Sequence, residues 1–146
     1  MQGVLWAAAF LAGFGLTIQV GMNAALRTAF GNAGVAVLVN FLVGSAGLAL
    51  YLAAVRADWP TRTMFASAPA WAWLGGLLGA FYVVTATIVG PRLGAAALLV
   101  LTVLGQLVAS LIVDHFGWLG FPQQPITLAK IVGALLLLAG VVLVVR

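Results

Sequence analysis

The 146-residue chain is 65% hydrophobic and only 5% charged, with a mean hydropathy of +1.25, a composition that a water-soluble surface cannot carry. Its pI near 10.9 is not a nucleic-acid signature, because the six Lys and Arg residues are spread singly and make no patch for a phosphate backbone. With no cysteine and a single histidine, His115, it offers no disulfide framework, no thiol nucleophile and no ligand cluster, so neither a metal nor a cofactor is expected.

The apolar residues fall into runs of about twenty, the length that crosses a hydrocarbon layer of about 30 Å at 1.5 Å per residue. These runs are apolar on nearly every side, unlike the alternating strands of a membrane barrel. The expected architecture is all-α, five transmembrane helices in a single transmembrane domain over residues 1–146. Met1, Gln2 and Gly3 lack the basic stretch of a signal peptide, so the first apolar run is expected to remain as a helix.

The first expected span, about 3–22, leads into a stripe of Gly15, Gln19, Asn23 and Arg27 at four-residue spacing, which shares one helix face. After the turn residues Gly31, Asn32 and Gly34, the second span, about 35–55, carries Asn40 and, one turn on, Gly44. A polar link containing Asp58 and Pro60 precedes the third, about 70–89, with the GxxxG pair Gly75 and Gly79 followed by Tyr82, Thr85 and Thr87. Gly90-Pro91-Arg92-Leu93-Gly94 reads as a turn short enough to force an antiparallel hairpin with the fourth span, about 95–113. There Thr102, Gln106, Ser110 and Asp114 repeat the four-residue stripe. Gly117 to Pro125, with two prolines, leads to the fifth span, about 127–145, whose Gly133 and Gly140 lie on one face.

Amides and hydroxyls are costly in hydrocarbon unless paired, so the polar stripes are expected to face inward, either lining a cavity or holding helices together by hydrogen bonds. Arg27 has a second reading as an interfacial anchor reaching the headgroups. Asp114, an acid where a helix should end, opposes the helix dipole and calls for a basic partner or a structured loop. Gly44, Gly75, Gly79, Gly133 and Gly140 are expected to permit close helix packing. The tryptophans Trp6, Trp59, Trp71, Trp73 and Trp118 all fall near the face that carries the N-terminus, which fits an aromatic belt better than a substrate cage.

Orientation follows the excess of Lys and Arg on the cytoplasmic side. With five crossings, Arg56, Arg62 and Lys130 share the N-terminal face and Arg27, Arg92 and Arg146 the other, three against three. A chain without bias is expected to insert both ways and to pair with an inverted copy of itself as a ten-helix homodimer. Such a pair has its twofold axis in the membrane plane, the relation found between inverted repeats of transporters, with the substrate site near the midplane.

Gly15 to Leu26, Asn40-Phe41-Leu42-Val43-Gly44, Gly90-Pro91-Arg92-Leu93-Gly94, Gly105-Gln106, Asp114-His115-Phe116-Gly117 and Gly133 to Val141 are individually short motifs, and their order and spacing together resemble the YdcZ family of small bacterial inner-membrane proteins. The resemblance covers essentially the whole chain. It implies a multi-pass inner-membrane transporter of the drug/metabolite transporter superfamily, in which single dual-topology chains, oppositely oriented pairs and fused ten-helix proteins all occur. Small multidrug resistance proteins differ in placing a glutamate in the first helix, whereas no carboxylate lies within the expected spans here. Fluoride channels differ in their four helices and in an arginine-bearing, glycine-rich N-terminal motif that this chain lacks.

No enzyme is expected, for the chain has no P-loop lysine and no nucleophile beside a base. The expected function is secondary transport of a small organic carboxylate or neutral polar metabolite by alternating access in the inverted dimer. Its expected binding residues are Gln19, Asn23, Arg27, Asn40, Tyr82 and Gln106, because amide donors and a guanidinium suit an anion while a buried cation would require a carboxylate. The expected partners are a second copy, membrane lipid and the substrate. A passive dual-topology channel and a non-transporting assembly protein are the alternatives.

Overall fold

The computed structural model describes residues 2–146 and is all-α among them. Its helices are α1 (Gln2–Phe30), α2 (Ala33–Ala54), the short α3 (Arg62–Ser67), α4 (Leu74–Leu93), α5 (Ala95–Phe116) and α6 (Leu128–Val145). Five helical stretches are long and apolar enough to cross a membrane, the third including the 3-10 turn Ala70–Trp73 ahead of α4. The residues fall into two compact units, Met1–Pro91 and Arg92–Arg146, each described by itself.

In the first unit, α1 and α2 are joined through Gly31 and Asn32. Gly31 takes a left-handed φ of 70°, which an L side chain resists, and the Asn32 side chain accepts a hydrogen bond from Val35 N at 3.1 Å to cap α2. The turn therefore serves both helix ends. α1 continues well past Met22, the expected end of the first span. From Trp6 to Arg27 is about 31 Å along an ideal helix, close to the hydrocarbon thickness, so a Trp6 at one interface puts Arg27 at the other.

α4 also runs further than its sequence indicates. Pro91 lies inside it, and only Gly94, at φ 83°, separates it from α5. The buried face of α4 is Val83, Ala86, Thr87 and Gly90, a spacing of three, four and seven residues that marks one side of a helix. Ala36 and Val37 of α2 and Asn23 of α1 are buried as well, and the enclosed side chains of this unit are mostly small, the kind that lets helices approach without a hydrophobic driving force. Outside them the order of a soluble protein is inverted. Large apolar side chains such as Phe10, Leu50, Phe81 and Leu77 are exposed, and among the described residues the largest fully enclosed side chains are Asn23 and Thr87.

In the second unit, α5 and α6 each bury one apolar residue, Leu98 and Val141. Gly117 ends α5 in the left-handed conformation at φ 64°. A Cβ there would come within 3.1 Å of Gln123 Cβ, so both backbone and space demand glycine. Thr127 accepts from Lys130 N at 3.3 Å and starts α6.

Candidate functional site

Asn23 and Asn40 meet because each lies eight positions from the intervening turn, Asn23 before Gly31 and Asn40 after Asn32, so the two helices bring them level. Asn40 Nδ2 donates to Asn23 Oδ1 at 2.9 Å. This uses one polar end of Asn23. Its other end, Nδ2, is enclosed and has no hydrogen-bond partner among the described residues, although the residue is 0% exposed. Leaving a buried donor unmet costs roughly 1–3 kcal/mol. Thr87, equally enclosed, donates its hydroxyl to Val83 O in its own helix at 2.7 Å and makes no hydrogen bond to the Asn23 amide.

One turn beyond Asn23, Arg27 is half-buried and reaches α4. Its Nη1 donates to Thr87 O at 3.3 Å and to Ile88 O at 3.5 Å. Arg27 also lines an open recess of about 540 Å³ with Ala24, Ala25, Thr28, Gly31 and Pro91. A guanidinium has five N–H donors in a fixed fork, so capping two carbonyls through one nitrogen leaves donors that can serve the recess. Asn23 does not line that recess; its unmet amide donor lies enclosed about 6 Å back along α1 from the Arg27 position.

The remaining sequence-selected residues are placed differently. Gln19 and Tyr82 are half-buried on α1 and α4 of the same unit. Gln106 is exposed on α5 in the other unit. Gly44, Gly75 and Gly133 are exposed and Gly79 and Gly140 half-buried. A Cβ added at any of these five would meet nothing within 4 Å among the described residues. Within this chain those faces are open.

Two contributors escape a reading by residue type alone. The carbonyl oxygens of Thr87 and Ile88 become part of the site because Arg27 grips them, and the available signal is a proline four residues after a carbonyl-bearing threonine. Among the described residues no group of three or more His, Cys, Asp or Glu side chains could hold a metal.

The second unit uses its polar residues at the α5–α6 loop. Gln124 N donates to Asp114 O at 2.7 Å, Gln123 Nε2 to His115 O at 3.1 Å, and Ile126 N to His115 Nδ1 at 3.4 Å. Lys130 Nζ lies 3.9 Å from Asp114 Oδ2 and donates to Gln124 O at 3.4 Å. The acid at the end of α5 thus has both the basic partner and the structured loop that its position demands.

The pattern of a family described as "Putative inner membrane exporter, YdcZ" matches residues 4–143. The inner membrane protein YdcZ of Escherichia coli strain K12 is 29% identical over 145 residues, 99% of this chain and 97% of that protein. No solved structure matches.

Proposed function

Since the chain belongs to the YdcZ family of inner-membrane transporters in the drug/metabolite transporter superfamily, we propose that it carries a small organic carboxylate, or a neutral polar metabolite of similar size, by alternating access. The observation that carries this reading is the enclosed, unpartnered Nδ2 of Asn23 one turn from Arg27. A group that completes that donor must bring an acceptor oxygen, and a carboxylate also answers the guanidinium through charge-assisted hydrogen bonds. An organic cation would meet a donor and a like charge. Asn40 orients the Asn23 amide, and Gln19 and Tyr82 extend the polar surface within the same unit.

The working unit in this proposal is an inverted homodimer, with residues 1–146 of each copy acting as one transmembrane domain. Two observations support it: the equal division of basic residues between the faces, and the open faces at Gly44, Gly75, Gly79, Gly133 and Gly140, which can accept a close-packed partner helix. Inversion makes the two membrane faces equivalent, so inward-open and outward-open states exchange the roles of the copies. A single cysteine introduced at Arg146 is expected to react with impermeant reagent from both sides of the membrane, and reaction from one side alone contradicts dual topology.

The transport reading is tested in proteoliposomes with propionate, propionamide and propylamine, which match in size and differ in charge. Saturable uptake in the order acid, amide, amine is expected. Preference for the amine contradicts the proposed site, nonsaturating flux identifies a channel, and no flux across a broad metabolite screen identifies an assembly protein.

A further inference from the structure

Pro91 stands inside α4, and proline has no backbone N–H, so the carbonyl four residues earlier, that of Thr87, loses its regular α-helical donor. In hydrocarbon an unmet carbonyl is expensive, and a transmembrane helix tolerates proline only where something else satisfies the freed oxygen. Arg27 Nη1 lies 3.3 Å from that oxygen and 3.5 Å from Ile88 O. The guanidinium occupies the role of the missing N–H.

We infer that Arg27 is an exchangeable clasp: at rest it holds α4 in place of the Pro91 N–H, and a carboxylate entering the adjoining recess draws it away, releasing α4 at Pro91. The inference rests on the proposed transport of carboxylates and adds how binding is coupled to movement. Both carbonyl contacts are long for an N–H···O hydrogen bond and share one nitrogen. A carboxylate offers two charged oxygens to the fork, and such paired contacts are shorter and roughly twice as strong. Access is available, because Arg27 and Pro91 line the same open recess.

The exchange has the property that a coupled carrier needs. A ligand shifts a conformational equilibrium only through different affinities for the two states. Here the difference is built in: with the clasp closed, α4 competes for the guanidinium, and with it open the ligand has the whole fork. Release also exposes a carbonyl at a proline, where helices kink. Loss of the carboxylate restores the cap.

A double-mutant cycle separates this account from a simple binding or packing role. Pro91→Ala returns a backbone N–H to the Thr87 carbonyl, so the clasp becomes redundant. Unfolding midpoints in detergent are compared for the unmodified chain, Arg27→Ala, Pro91→Ala and the double variant, with propionate uptake measured on each reconstituted protein. Arg27→Ala is expected to lower the midpoint in the original background and to lose most of that effect beside Pro91→Ala. Pro91→Ala alone is expected to tighten half-saturation by propionate while lowering turnover several-fold, because the guanidinium is free and α4 no longer releases. Arg27→Lys keeps length and charge without the fork, so it should fold with near-normal stability but weaken propionate several-fold, a result readable even if Arg27→Ala does not fold. Additive midpoints, or unchanged half-saturation and turnover in Pro91→Ala, overturn the clasp and leave carboxylate transport standing. A coupled cycle in a protein that moves no propionate overturns the exchange and the transport reading together, leaving Arg27 as a structural cap.

Discussion

The two units handle polar side chains in opposite ways. At the α5–α6 loop, Asp114, His115, Gln123, Gln124 and Lys130 engage one another and the backbone in an exposed or half-exposed setting. In the first unit the polar groups sit in the core, and one donor, Asn23 Nδ2, is left over. Water can complete a loop but cannot cheaply complete a group enclosed among membrane helices. A satisfied knot fixes structure, whereas an unsatisfied donor in the same chain marks a place where a ligand gains most by binding. On the proposed function, the polar groups of the second unit serve stability and those of the first serve transport.

That contrast breaks most readily at Asn23. Asn23→Ala should reduce propionate uptake by about tenfold or more, equivalent to roughly 1.4 kcal/mol of lost interaction. Its effect on unfolding should be modest, because the unmet donor of Asn23 is removed while the half-buried Asn40 amide loses its acceptor. Uptake that survives while the protein is destabilised makes the pair helix glue.

A change in the second unit should give the reverse pattern. Gly117→Ala forces a non-glycine residue to a φ of 64° and brings its Cβ against Gln123, costing about 1–3 kcal/mol. The unfolding midpoint should fall clearly while uptake per folded molecule is kept. The smallest effect is expected from Lys130→Ala. Its contact with Asp114 is 3.9 Å long and about one-third exposed, so the loss should be under about 1 kcal/mol, with selectivity among acid, amide and amine unchanged. A shift in that selectivity contradicts the division of labour.

Much of the first unit is legible in the residues themselves. Run lengths give the five candidate spans, and four-residue spacing puts Asn23 and Arg27 on one face of α1. The level meeting of Asn23 and Asn40 follows once the turn at Gly31 and Asn32 is fixed. The segment around Pro91 is less transparent. Gly-Pro-Arg-Leu-Gly has the composition of a turn, and local chemistry alone breaks the helix there, yet α4 continues to Leu93. The compensating donor, Arg27, lies sixty positions away from Thr87, beyond any local pattern. Asp114 signals its need for a partner through the helix dipole, but Lys130 answers it only because the loop folds back over the end of α5. For Gln106 on α5, the four-residue spacing fixes a helix face but does not name the neighbour that the face meets.

The most direct test of the central claim is the side-chain amide resonance of Asn23 in nitrogen-15-labelled protein during titration with propionate. If Asn23 Nδ2 is the donor that the substrate completes, its protons should move downfield and saturate at the concentration that half-saturates uptake, with propylamine producing no such shift. An Asn23 signal that stays fixed while propionate uptake saturates would contradict the account.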